Sequence, residues 1–130
     1  MKKAIIIFPG KNNTTKKFGE EIANFLLQRG LVTEMIPINN FEPHKLDGVD
    51  YLLISGWQND NEGASFVNKL PPLDGIRTGV FTTYKFFAGN IIRKMKKYLK
   101  EKTENLEFAF KSRDGSLSIS DKLTLNDFIR

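Results

Sequence analysis

The chain has 130 residues, 40% of them hydrophobic, and a formal net charge of +5. That length buries one core and leaves no room for a second, so one domain over 1–130 is expected. The absence of cysteine excludes disulfides, zinc–cysteine centres, iron–sulfur clusters and thiol redox chemistry, so any redox role must come from a bound cofactor. No apolar run approaches a membrane span, and the opening MKKAIIIFPG leads into a strand and not to a signal-peptide cleavage site; a cytoplasmic location without membrane contact is expected.

The apolar run at 3–8 predicts a first strand. A helix over 15–28 follows, with Phe18, Ile22, Phe25 and Leu26 at helical spacing and Gly30 closing it. Residues 32–36 read as a second strand and 37–48 as a loop. Residues 50–55 read as a third strand, whose unbroken apolar run suits burial on both faces. A short helix over 64–70 ends at Pro71-Pro72. The fourth strand is 77–83, a helix spans 86–102, and a fifth strand begins near Leu106. Such alternation predicts an α/β fold, a doubly wound parallel sheet with helices on both faces. Residues 105–110 alternate, Arg113-Asp114-Gly115 signals a turn, and 117–119 alternate again, which leaves strand five open to a break or a return pairing. Ser120 is the expected cap of a last short helix over 121–129.

The segment AIIIFPGKNNTTKKFGEEIA carries the strongest functional signal. A buried strand runs into a Gly/Asn/Thr turn that opens straight into a helix, and in open α/β sheets this first turn is the usual phosphate seat. Free N–H groups and the positive dipole end of a helix suit an anion without any arginine. Gly10 permits close backbone approach, Asn12 and Asn13 tolerate left-handed conformations, and Thr14 and Thr15 offer hydroxyls. The same residues also suit an ordinary connection in which Thr14 or Thr15 caps the helix.

From Lys3 to Ala23 the sequence resembles the opening of a flavodoxin: apolar strand, amide- and hydroxyl-rich loop ending in threonine, then a helix with a small residue (Gly19) and an Ile-Ala pair (Ile22, Ala23). Gly10-Lys11-Asn12-Asn13-Thr14-Thr15 stands where that family usually has small-x-Thr-Gly-Asn-Thr; the last threonine matches and the donors are kept. Tyr84-Lys85-Phe86-Phe87-Ala88-Gly89 is similar to the family's Tyr-x-x-Phe-small-Gly segment after strand four.

Two aromatic loops bear on what the resemblance means. SGWQNDNEG (55–63) follows strand three and holds the only tryptophan, and TTYKFFAGN (82–90) follows strand four. A flat, electron-poor isoalloxazine ring is best held between two aromatic faces with backbone groups at its polar edge. Taken singly, Trp57 and Tyr84 suit core or lid packing. Together they fall just past the carboxyl ends of strands beside the phosphate turn, where flavodoxins place a Trp and a Tyr.

The resemblance therefore implies a flavodoxin-like five-stranded sheet and non-covalently bound FMN. Gly10, Lys11, Asn12, Asn13, Thr14 and Thr15 would seat the phosphate, and Trp57 and Tyr84 would flank the ring. Gln58, Asn59 and Gly63 from the first aromatic loop, with Thr82 and Thr83 from the second, would complete the cofactor site, Asn59 and Gly63 supplying a flexible peptide edge. No catalytic residue and no metal ligand is implied. The role that follows is a small electron carrier serving a redox partner protein, and not an enzyme with its own substrate, since no extra loop exists to build a substrate pocket. The alternative is a flavodoxin-fold protein-interaction module that binds no flavin.

Other chemistries lack their residues. Neither G-x-G-x-x-G nor a Walker lysine motif follows strand one, no carboxylates end strands one and three, and the lone His44 sits in a polar loop. The basic charge is concentrated: Lys85, Arg93, Lys94, Lys96, Lys97, Lys100 and Lys102 stand against Glu101, so the rest of the chain is close to neutral. Phe87, Ile91, Met95 and Tyr98 line one face of that helix and put most of the cations on the other. No aromatic interleaves with the lysines as a base-stacking platform needs, which argues against nucleic acid. A solvated face accounts for the pattern; if it docks a partner, that partner has an acidic surface.

Overall fold

The computed structural model describes residues 1–57, 59–86 and 89–130. Its elements in chain order are β1 (Lys3–Phe8), α1 (Asn13–Gln28), β2 (Val32–Pro37), 3-10 turns at Ile38–Asn40 and Pro43–Leu46, β3 (Tyr51–Ser55), α2 (Asp60–Lys69), β4 (Arg77–Thr83), α3 (Gly89–Leu99), β5 (Leu106–Ser112) and α4 (Ile119–Phe128). The five strands form one parallel sheet in the order β2-β1-β3-β4-β5. The order reverses at the β1–β3 pair, the position at whose carboxyl end open α/β sheets form their crevice.

Each strand alternates its side chains between two cores. Ala4, Ile6, Leu53 and Phe81 point toward α1 and α4, where they meet Phe18, Ile22, Leu26, Leu125 and Phe128. Ile5, Ile7, Leu52, Ile54 and Val80 point the other way, onto Phe66 and Val67 of α2, Ile92, Met95 and Leu99 of α3, Ile38 and Leu46 of the 3-10 turns, and Phe41 between those turns. Burying each such side chain contributes about 1.5–3 kcal/mol of transfer free energy. The loop at 37–48 thus fills the place a crossover helix would take between β2 and β3.

Several boundaries differ from the sequence reading. α1 and α2 begin earlier than apolar periodicity shows because their first turns are polar: Asn59 caps α2 through a 2.9 Å bond from the Glu62 amide, so α2 starts at Asp60 and not at residue 64. The helix expected over 86–102 is shorter, Gly89–Leu99, and Phe86 is exposed before it. Phe87, assigned to its apolar face, lies outside the described residues.

Strand five is neither broken nor paired back; Leu106–Ser112 runs parallel to β4 with one register shift, between Thr78 and Val80. The shift falls at Gly79, where a Cβ would overlap the Phe108 ring, so the missing side chain is what lets that ring lie on the strand. Residues 117–119 are not strand. Ser118, and not Ser120, caps α4, its hydroxyl accepting from the Asp121 amide (3.0 Å) while the Asp121 carboxylate accepts from the Ser118 amide (3.3 Å).

Candidate functional site

At the end of β1 the chain turns through Pro9, Gly10 and Lys11 into the cap of α1. Asn12 is that cap: its Oδ1 accepts from the Thr15 amide at 3.1 Å and its carbonyl accepts from the Lys16 amide at 3.0 Å. Neither Thr14 nor Thr15 plays that part. The amides of Asn13 and Thr14 remain in the first turn, where no preceding helical carbonyl exists to take them. Lys11, Asn13 and Thr14 are exposed, and a Cβ at Gly10 would meet only the Asn39 side chain, at 3.7 Å. That glycine leaves the loop open and is not demanded by crowding.

Thr15 and Thr83 face each other across the layer. Both are buried, and their hydroxyls share one hydrogen bond, which ties the start of α1 to the end of β4. Thr82 donates its hydroxyl to the Thr83 carbonyl at 3.2 Å. Of the expected threonine donors, Thr14 alone is exposed. Ser55 adds a hydroxyl the sequence reading did not single out. It pairs in register with Phe81, so its side chain points to the α1 side of the sheet, and its buried Oγ has no hydrogen-bond partner among the described residues.

A second turn closes over this end. Residues 112–116 form a knot in which Ser112 Oγ accepts from the Gly115 amide (3.0 Å) and lies 3.2 Å from both Asp114 Oδ1 and the Ser116 carbonyl. The Ser116 amide donates to Asp114 Oδ1 at 3.0 Å, and this bond above all holds the Asp114 carboxyl below the usual carboxylate range. Gly115, at φ +80°, lies so close to α1 that a Cβ would stand 2.7 Å from the Thr14 carbonyl oxygen. Lys17 donates to the Asp114 carbonyl at 3.3 Å, and the Tyr84 amide donates to the Ser112 carbonyl at 3.1 Å. Arg113 is thereby carried over the Tyr84 ring, its guanidinium carbon 5.7 Å from the centroid. A pocket of about 310 Å³ results, walled by Asn12, Thr14, Thr83, Tyr84, Lys85, Ile91 and Arg113.

The first aromatic loop opens on a neighbouring hollow, also of about 310 Å³, lined by Trp57, Asn59, Asp60, Asn90, Ile91 and Lys94. Ile91 is common to both. Trp57 is half-buried and packs edge-on against Tyr98, ring centroids 5.5 Å apart. Its indole also covers Gly63, where any Cβ would overlap the ring. Gly63 does not lie in a flexible loop as expected: it is inside α2, its amide bonded to the Asn59 carbonyl at 3.1 Å, because the Asn59 cap draws 60–63 into the helix. Gln58 lies outside the described residues.

Both hollows carry positive charge that the sequence reading did not assign to the site: Lys85 and Arg113 in one, Lys94 in the other, the last paired with Asp60 at 3.7 Å. Their signal was their position, since any residue just past the carboxyl end of a strand falls on this rim. A larger hollow of about 530 Å³ lies at the opposite end of the sheet, but it is lined by connecting turns and charges such as Arg77 and Glu107, which neutralise each other.

The donor set suits a phosphorylated aromatic ligand. First-turn amides, the Thr14 hydroxyl and two cations meet one half-buried aromatic ring in a single pocket, with no carboxylate in its wall. No helix among the described residues is long and apolar enough to cross a membrane.

Neither a protein-family model nor a curated protein sequence matches the chain. Solved structures do. Two-electron reduced flavodoxin from Megasphaera elsdenii superposes with a TM-score of 0.81 at 15% identity, covering 96% of each chain. Oxidised flavodoxin 2 from Bacillus cereus gives 0.73 at 15% identity, covering 97% of this chain and 94% of that one. The flavodoxin of Streptococcus pneumoniae TIGR4 gives 0.71 at 17% identity with the same coverage. With so few shared residues the likeness is one of backbone, and together with the parallel order β2-β1-β3-β4-β5 it gives this chain the flavodoxin-like α/β fold.

Proposed function

We propose that the chain binds FMN non-covalently and works as a small electron carrier. One observation carries this reading: the pocket that joins the start of α1 to Tyr84 at the carboxyl edge of the sheet offers anion donors and an aromatic face side by side. The bound flavin supplies the reversible uptake of electrons. The chain's own residues do the rest. The first-turn amides of α1 and Thr14 hold the phosphate, Tyr84 and Trp57 flank the ring, and Thr15–Thr83 fixes α1 on the sheet so that these groups keep their spacing.

The redox partner has an acidic surface in this proposal. Arg93, Lys94, Lys96, Lys97 and Lys100 are all exposed on α3 or just past its end, and Lys94 reaches the rim of the Trp57 hollow. Such charges act on the association rate and are screened over about 8 Å at physiological salt. Replacing Lys94, Lys96, Lys97 and Lys100 is expected to slow electron transfer to an acidic partner while FMN affinity stays nearly unchanged. If duplex DNA binds instead, with steep salt dependence, the surface serves nucleic acid.

The test of the flavin reading is an absorbance spectrum of the protein purified after incubation with FMN. Flavin bands that co-elute with the chain support it, and their absence overturns it. A second reading, a protein-interaction module without flavin, draws on Trp57, whose ring is committed to Tyr98 and Gly63, and on Thr15, whose hydroxyl is committed to Thr83.

A further inference from the structure

We propose that Arg113 is the residue that reads the ligand's phosphate, making the pocket selective for a dianionic phosphate ester over its neutral parent; the inference rests on the flavin reading above. It starts from the β5–α4 turn, which is a fixed part of the α1 terminus and not a loose loop. Gly115 lies against the Thr14 carbonyl, Lys17 holds the Asp114 carbonyl, and the Tyr84 amide holds the Ser112 carbonyl. A side chain on such a turn is positioned before any ligand arrives, so little further entropy is lost on binding.

The charge of Arg113 is also uncommitted. No carboxylate among the described residues forms an ion pair with it, and the neighbouring Asp114 carboxylate is turned into its own turn, onto Ser112 and Ser116. Its one partner among the described residues is the Tyr84 ring, a weak contact for an exposed cation. The pocket it overhangs contains Asn12 and Thr14 of the α1 start, and its other charged wall, Lys85, is also positive. A guanidinium offers a planar fork that matches two phosphate oxygens, which an ammonium does not. The helix terminus supplies neutral donors that accept any anion, and Arg113 adds the charge that separates the ester from the alcohol.

The test measures dissociation constants for FMN and riboflavin with the wild-type chain, Arg113→Gln and Arg113→Lys, each checked for an unchanged thermal midpoint. Arg113→Gln is expected to weaken FMN about ten-fold or more and riboflavin less than two-fold, with Arg113→Lys between. An equal loss for both flavins, or none for FMN, overturns the proposal while leaving the flavin reading intact. Inorganic phosphate, followed by the amide resonances of Asn13 and Thr14 and the Arg113 Nε–H, separates the other failure. Phosphate shifts without flavin binding would remove the flavin and keep Arg113 as an anion ligand. A wild-type chain that binds neither flavin nor phosphate overturns both.

Discussion

The two halves of the proposed flavin site, one for the phosphate and one for the ring, are built differently. At the phosphate end, α1, β4 and the β5–α4 turn are joined by Thr15–Thr83, Tyr84–Ser112, Lys17–Asp114 and the contact of Gly115 on Thr14. At the ring end, the aromatic expected to meet a ligand is packed on Tyr98 and Gly63, and the residues around it are held mainly by the Asn59 cap of α2. The first half is organised before binding. The second has contacts to exchange. Affinity drawn from the phosphate end therefore costs little reorganisation, whereas affinity drawn from the ring end is reduced by the packing given up.

The largest expected effect tests the first half. Gly115→Ala places a Cβ against the Thr14 carbonyl at a φ that L residues avoid, and is expected to cost about 1–3 kcal/mol in a urea melt. It should also weaken FMN more than riboflavin, because the turn lifts away from α1. Full stability in that variant would show that the turn does not brace the phosphate end.

Thr15→Val comes next. It keeps the shape but leaves the buried Thr83 hydroxyl without its partner, for an expected loss of about 1–2 kcal/mol. The same melt reads it, and an unchanged midpoint would mean that Thr83 finds another acceptor. At the ring end, Trp57→Ala is expected to weaken FMN and riboflavin alike, by about 0.5–1.5 kcal/mol, since stacking does not sense the phosphate. Titration of the wild type should quench its single tryptophan, and steady emission at saturating FMN would exclude Trp57 from the site.

The smallest effect is on pH. Because folding lowers the Asp114 carboxyl, its contribution is fully present above the unfolded value of about 3.9 and is lost as pH falls through the lower folded value. Acidification through that window should loosen residues 112–116, read as faster amide exchange at Gly115 and Ser116, and Asp114→Asn should remove the dependence. Equal pH dependence in the variant would assign the effect to another group.

Much of this molecule is written in local pattern. The unbroken apolar run of β3 and the 3.6-residue spacing of α1 state which faces are buried, because burial on both sides of a sheet or on one side of a helix leaves no choice of residue type. The small and amide residues of the turn after β1 likewise state a strand-to-helix turn, which is where the phosphate seat is proposed. Tertiary contact decided the rest. That the Thr15 hydroxyl goes to Thr83, 68 positions away in sequence, was decided by the tertiary structure, whereas the Asn12 cap of α1 is a local bond three residues long. That the Phe108 ring lies on Gly79, where the β4–β5 register shifts, was likewise decided between strands. That Arg113 overhangs the pocket follows from a turn folded onto a helix nearly one hundred residues earlier, and that Trp57 faces Tyr98 follows from α2 packing beside α3. Each of these depends on which distant groups come into contact, and chain-local spacing carries no information about that until the sheet has brought them together.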